Sequence, residues 1–298
     1  MFPAILTAVC FAFSIILGHR AAKLAGSLEA NFWRVVVATV VLSAWAFTFG
    51  GGLSGSGLAW FALSGAVGIG LGDMAFYHAL PRLGPRITTL VNQCLMAPVG
   101  ALIEWLWLGT QPTLNQVLFS IVAVCGVVIA VRPAKGEITS RISAGGILLA
   151  MLGAIGAAAG AVISRKAYAV LHDSGAHLDG GTAGFQRMIG GILVSAVFYA
   201  ALRLGLDKDE ASPAQSHTPR QVWPWILGNA LAGQTLGVSC MQWALSEMPA
   251  PKVLVIIATT PVLVIPLARI FEGERITPRA VIGALIAVGG VVGLILHR

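Results

Sequence analysis

The chain is built from apolar stretches of helix length, ten of them, separated by short polar joints. They cover residues 2–18, 30–49, 57–80, 86–108, 114–131, 144–164, 181–203, 223–245, 252–271 and 279–296. A run of about 18 or more apolar residues with few charges marks a helix that crosses a bilayer. Lipid gives the backbone no hydrogen-bond partners, and a helix satisfies its own. The expected fold is therefore an all-α membrane protein with ten transmembrane helices. Composition agrees: only 10% of residues are charged, and mean hydropathy is +0.85. A soluble chain carries about a quarter charged residues. The longest polar stretch, Gly205 to Gln221, is too short to fold as a domain. Residues 1–18 lack a basic leader and a small-residue cleavage site, so they read as a retained first span.

The net charge of +7 does not point to nucleic acid. Its 19 Lys and Arg are scattered over the joints, where such charges orient helices against the anionic leaflet. Leaving aside Arg34 and Arg187, which lie inside spans, the joints after spans one, three, five, seven and nine carry thirteen. The opposite joints and the C-terminus carry four. Positive-inside logic then puts both termini outside the cytoplasm. Cys10, Cys94, Cys125 and Cys240 each sit within an apolar run and read as small buried hydrophobes, not as a disulfide or metal framework. No phosphate loop, metal-ligand spacing or Ser/His/Asp constellation is present, so no cofactor is expected. The cluster His172, Asp173, His177 and Asp179 reads as a solvated loop.

The two halves of the chain resemble each other. Gly109, Thr113, Val117, Ala123, Val124, Gly126, Val127 and Val128 recur, 164 residues on, as Gly273, Thr277, Val281, Ala287, Val288, Gly290, Val291 and Val292. With small gaps, Pro98-Val99 matches Pro261-Val262, Ala79-Leu80 matches Ala244-Leu245, and Phe32-Trp33-Arg34 matches Phe185-Gln186-Arg187. Five spans per repeat is an odd number, so the second copy must enter the membrane inverted. Inverted repeats around a midplane site are a secondary-transporter architecture. The expected units are 1–133 and 143–298, two inverted five-helix repeats.

With these features the sequence resembles the drug/metabolite transporter superfamily, and within it the EamA family. The resemblance rests on Arg34 and Arg187 near the start of the second span of each repeat and on Pro98 and Pro261 in the fourth spans. Gly273-Glu274 with Thr277 and the Gly-rich fifth spans complete it. The first repeat departs from the pattern, reading Gly109-Thr110 in place of Gly-Glu. The resemblance implies a carrier, and suggests an exporter of an amino acid or related metabolite in a cell or inner membrane. It also implies both termini inside, against the charge count.

Ionisable residues inside spans are costly and default to functional candidates. Asp73 lies deep in span three with Tyr77 one turn on, so both share a face. Asp73 is a candidate to bind a cationic group, to carry a proton, or to pair with Arg34. Span four carries a polar stripe, Arg86, Thr89, Gln93, Ala97, Gly100 and Glu104. Span eight carries another, Thr235, Ser239, Gln242 and Ser246. The expected substrate-binding residues are Arg34, Asp73, Tyr77, Gln93, Arg187, Thr235, Ser239 and Gln242. Lys252 and Arg269, near span ends, read as snorkelling. Most Trp residues read as an interfacial belt, with Trp243 beside Gln242 as a possible stacking surface. Gly156, Gly160 and Ser164, and the pair Gly68 and Gly72, follow a four-residue step that lets helices approach closely. The preferred function is a secondary transporter of a small polar or amphipathic metabolite, not an enzyme, with proton or other ion coupling possible. A membrane-embedded enzyme acting on a lipid-linked substrate and a channel are the alternatives.

Overall fold

The computed structural model describes residues 1–108, 113–131, 143–205, 218–273 and 277–296. The joint at Gly109-Thr110, the central linker, the polar stretch after span seven, Glu274 and the side chain of Glu104 lie outside the described residues. Among those described there is no strand. The helices are α1 (Phe2–Ala25), α2 (Ser27–Thr48), α3 (Leu58–Gly65), α4 (Asp73–Leu108), α5 (Leu114–Val131), α6 (Ala144–Asp173) and α7 (Gly180–Gly205). They continue as α8 (Pro219–Asn229), α9 (Val238–Glu247), α10 (Ala250–Ile257), α11 (Thr260–Glu272) and α12 (Pro278–Leu296). Two π-helical segments, π1 (Ala66–Gly72) and π2 (Ala230–Gly237), join α3 to α4 and α8 to α9.

Local chemistry sets the boundaries. Gly26 divides α1 from α2 at φ 88°, and Gly84 breaks α4 at φ 76°, a region that residues with a Cβ rarely enter. Ser143 caps α6 by accepting from the Gly146 N–H at 3.2 Å. Thr218 and Gln221 form a capping box on α8. Asp179 caps α7: Oδ1 accepts from the backbone of Gly181 at 2.9 Å and of Thr182 at 3.0 Å, and from Trp45 Nε1 at 2.9 Å. Burial alone would raise this carboxyl, but the bonds from Thr182, Trp45 and Gly181 outweigh it and hold it below its ordinary value.

Among the described residues, six helical stretches are long and apolar enough to cross a membrane: Phe2–Ala25, Ser27–Thr48, Leu58–Trp107, Ala144–Asp173, Gly180–Leu204 and Ala250–Glu272. Val117–Ala130 and Pro278–Gly293 are shorter apolar helices. The difference from the ten expected spans has physical causes. Leu58–Trp107 runs 50 residues, about 75 Å at 1.5 Å per residue, more than twice a hydrocarbon core. Gly84 breaks it where the Pro81 and Gly84-Pro85 signals lie. The stretch Pro219–Glu247 is not among the six, because it holds Asn229, Gln234 and Gln242, all buried.

Packing joins the halves by glycine. Gly156 and Gly160 of α6 press against Gly72 and Gly68 of π1. A Cβ on Gly156 would stand 2.6 Å from the Gly72 Cα, and one on Gly160 would stand 3.0 Å from the Gly68 Cα. The sequence step at these four positions is therefore a helix crossing, where only small residues let the backbones meet. On α5 and α12, Gly126 meets Ala287 while Gly290 meets Ala123, and Gly283 meets Ala130 while Gly293 meets Phe119. Rising numbers on one helix meet falling numbers on the other, so the two run antiparallel. The α2–α7 pair does the same: Phe32 stacks on Tyr199 at 4.2 Å, and Trp45 bonds Asp179. Around the perimeter Val40, Leu193, Val197 and Ile270 are exposed, which suits lipid and not water. Several charges at the helix ends are paired: Glu272 takes Arg20 at 3.0 Å and Lys23 at 3.2 Å, and Glu29 takes Arg203.

Candidate functional site

The helices enclose a mid-bundle cavity of about 100 Å³. Its wall comes from α1, α2, π1, α4, α6, α7, π2 and α9, and so from both halves. One side is a hydrogen-bonded chain centred on Arg34. This residue is 4% exposed. Its Nη2 donates to Asp73 Oδ2 at 2.7 Å and to Asn31 Oδ1 at 2.9 Å, and Nε donates to the same Asn31 oxygen at 3.2 Å. The guanidinium lies 4.2 Å over the Tyr77 ring, a favourable place for a cation. The Tyr77 hydroxyl accepts from Asn229 Nδ2, and Asn229 Oδ1 accepts from Ser14 at 2.6 Å. From the opposite half, Gln234 Nε2 donates to Asp73 Oδ2 at 2.6 Å. Asp73 keeps 25% of its side chain accessible.

The other side is barer. Arg187 is also 4% exposed, and it lies against the α6–π1 crossing: a Cβ on Gly68 would stand 3.0 Å from its Nη2. Those glycines make the room its guanidinium occupies. Its Nε has no partner. Among the described residues no carboxylate lies within ion-pair distance of it, although the charge of Asp73 acts on it at longer range. Gln93, 6% exposed, presents an unpartnered Oε1, and Gln234 another. Phe11, Ile15, Phe76, Met96, Val238 and Met241 supply most of the apolar remainder of the lining.

Of the residues picked from sequence, Arg34, Asp73, Tyr77, Gln93 and Arg187 line this cavity together. Thr235, Ser239 and Gln242 are not part of the lining. The Ser239 backbone meets Gly180, Thr235 is buried with its hydroxyl unpartnered, and Gln242 is fully buried with both amide atoms unpartnered. The cavity face of this segment is Gln234, Val238 and Met241, one position earlier at each step. The two stripes share the same four- and three-residue steps and differ only in phase, so helical counting alone does not choose between them. Thr89 spends its hydroxyl on the Pro85 carbonyl at 2.6 Å. Trp243 is exposed and bonds Glu247 at 2.7 Å, away from the cavity, and Lys252 and Arg269 are exposed.

Sequence reasoning missed Asn31, Asn229, Ser14 and Gln234. Asn31 carried a usable signal, lying three residues before Arg34 on the same helical face. Asn229 and Gln234 are polar residues inside an apolar run, the signal applied to Asp73. Among the described residues no cluster of His, Cys, Asp or Glu has the makings of a metal site.

Comparison with known proteins follows the same division of the chain. The model of the EamA-like transporter family matches residues 1–132 and again residues 144–296. No curated protein matches the chain. A solved structure, described only as the crystal structure of a protein, superposes with a TM-score of 0.66 at 17% identity. The match covers 98% of this chain and 99% of that one, and at such identity it shows a shared fold alone.

Proposed function

Because this chain belongs to the EamA-like transporter family, we propose that it is a secondary carrier that exports a small polar or amphipathic metabolite, such as an amino acid, from the cell. In this reading its ten spans form two inverted five-helix repeats, residues 1–133 and 143–298, that rock about the central cavity in alternating access. The antiparallel packing of α5 on α12, with repeat-related residues exchanging partners, supports the inversion. The observation that carries the function is the cavity itself, charged, buried at mid-helix and walled by both halves. A bundle that only needed to be stable would fill this space with apolar side chains, since a buried ion pair contributes little net stability.

Arg34, Asp73, Tyr77, Gln93 and Arg187 are the substrate-binding residues of this reading. Thr235, Ser239 and Gln242 stand behind the wall. The chain carries no nucleotide-binding motif, so uphill movement draws on an ion gradient or on exchange. Asp73, accessible from the cavity, is the carboxylate placed to trade a proton with it.

Counterflow in proteoliposomes tests the proposal. Vesicles holding purified protein and a high internal concentration of one unlabelled compound are diluted into a trace of the same compound labelled, over a panel of amino acids and simple monocarboxylates. A transient, saturable accumulation of label for at least one of them is expected. Flux that rises linearly without saturation would indicate a channel and defeat the carrier.

A further inference from the structure

Arg34 and Arg187 together bring two positive charges to the cavity wall, and Asp73 brings one negative charge. Arg34 is already answered, by Asp73 and Asn31 at hydrogen-bond distance and by the face of Tyr77. Arg187 is not: its Nε is unpartnered, and its guanidinium rests against glycines that offer no side chain. A guanidinium buried without a partner is expensive, and a protein that keeps one has left room for something that completes it. One uncompensated positive charge matches one negative charge on a ligand. The planar fork of an arginine matches a carboxylate, which it can grip with two parallel N–H bonds. The rest of the lining is largely apolar, with Phe11, Ile15, Met96 and Met241, and includes the unpartnered Gln93 oxygen.

We propose that the cavity takes a small organic monoanion, a carboxylate on a compact apolar body, and that Arg187 is its anchor while Arg34 serves to hold Asp73. This rests on reading the cavity as the carrier's site, and it narrows the cargo. A free amine or a neutral amide of the same body lacks the group that Arg187 needs. Gly68 belongs to the same device, because a side chain there would crowd the guanidinium.

The test uses the full chain purified in detergent and three radiolabelled probes with one branched body: 4-methylpentanoate, its primary amide, and isopentylamine. The anion is expected to bind more tightly than both others. Arg187→Gln is expected to weaken 4-methylpentanoate about ten- to a hundredfold, the range of a charge-assisted bond lost, and bring it level with the amide. Arg187→Lys is expected to recover part of the loss. The thermal midpoint of Arg187→Gln without probe should not fall, since the substitution removes an unpaired buried charge. In the unsubstituted protein, anion binding no tighter than amide or amine binding, absent binding included, overturns the inference without any variant. So does an Arg187→Gln protein of unchanged midpoint that binds the anion within about twofold of the original. Anion preference without counterflow leaves the anchor standing and removes the carrier. Counterflow without anion preference removes the anchor and leaves the carrier.

Discussion

Arg34 and Arg187 sit at matching places in the two halves, each 4% exposed and each on the wall of the central cavity. Their surroundings differ at the positions matched to the partners of Arg34. Three residues before Arg34 stands Asn31, which bonds it twice; three before Arg187 stands Gly184. The alignment that pairs Ala79-Leu80 with Ala244-Leu245 sets Val238 opposite Asp73 and Gln242 opposite Tyr77. The second half thus lacks the amide, the carboxylate and the aromatic ring that settle Arg34. Duplication supplied two cations, and divergence partnered one of them. A buried charge whose partners are all built in is costly to strip of them, whereas one left without them has its partner still to come.

The largest effect should follow from removing the partner on the settled side. Asp73→Ala leaves Arg34 buried with Asn31 as its remaining hydrogen-bonded partner, and the expected loss is about 3–5 kcal/mol. Denaturant-induced unfolding in mixed micelles measures it. Adding Arg34→Met to Asp73→Ala removes the stranded charge, so the double variant should regain part of that loss. A single variant that loses less than about 1 kcal/mol would mean that the ion pair does not hold Arg34, and the contrast with Arg187 would collapse.

Much of this contrast was legible in the sequence, and the limit has a physical cause. Arg34, Asp73, Tyr77, Gln93 and Arg187 stand out because lipid makes polar residues in apolar runs conspicuous, and all five line the cavity. The helix break at Gly84 and the close-packing steps at Gly68 and Gly72 and at Gly156 and Gly160 were equally visible, since φ above zero and missing Cβ atoms are properties of one residue type, but that these two steps cross each other was not. The face of the eighth span was not. Its stripe of Thr235, Ser239 and Gln242 obeys the α-helical period, but so does the stripe one residue earlier, Gln234, Val238 and Met241, and it is this one that faces the cavity. Two of its three residues are apolar, so a search for polar stripes passes over it. The glycines in Gly68–Gly72 and Gly233–Gly237 mark both π segments only in retrospect.

A middle-sized effect separates the two flanking positions. Asn31→Ala removes an acceptor that takes two bonds from a charged donor, and should cost about 1.5–3 kcal/mol, less than Asp73→Ala. Gly184→Ala should cost nothing and can gain about 0.5–1 kcal/mol from helix propensity. The added Cβ would find Leu42 Cδ1 at 3.5 Å and Ser239 Oγ at 3.6 Å, ordinary contact distances. Unfolding midpoints of the two variants side by side measure the difference. Equal losses at both positions would show that Asn31 contributes packing only, not a bond to Arg34.

The smallest effect is the sharpest, because it asks the unpartnered side to become like the other. Gly184→Asn places on α7 the same residue, at the same spacing, that Asn31 occupies on α2. The first atom of the new side chain meets only van der Waals neighbours, so the helix should accept it. An amide oxygen three residues before Arg187 can then take its unpartnered Nε, as Asn31 takes that of Arg34. A guanidinium bonded from within has less to gain from a ligand, since the ligand must displace that bond. The folded protein should therefore become slightly more stable, while 4-methylpentanoate binding weakens about three- to tenfold, the worth of one ordinary hydrogen bond. The opposite signs are the point: a substitution that merely disturbed the cavity would lower both. If affinity for the anion is unchanged while stability rises, Arg187 has been satisfied without consequence for the ligand, and the contrast between the two arginines is one of packing alone.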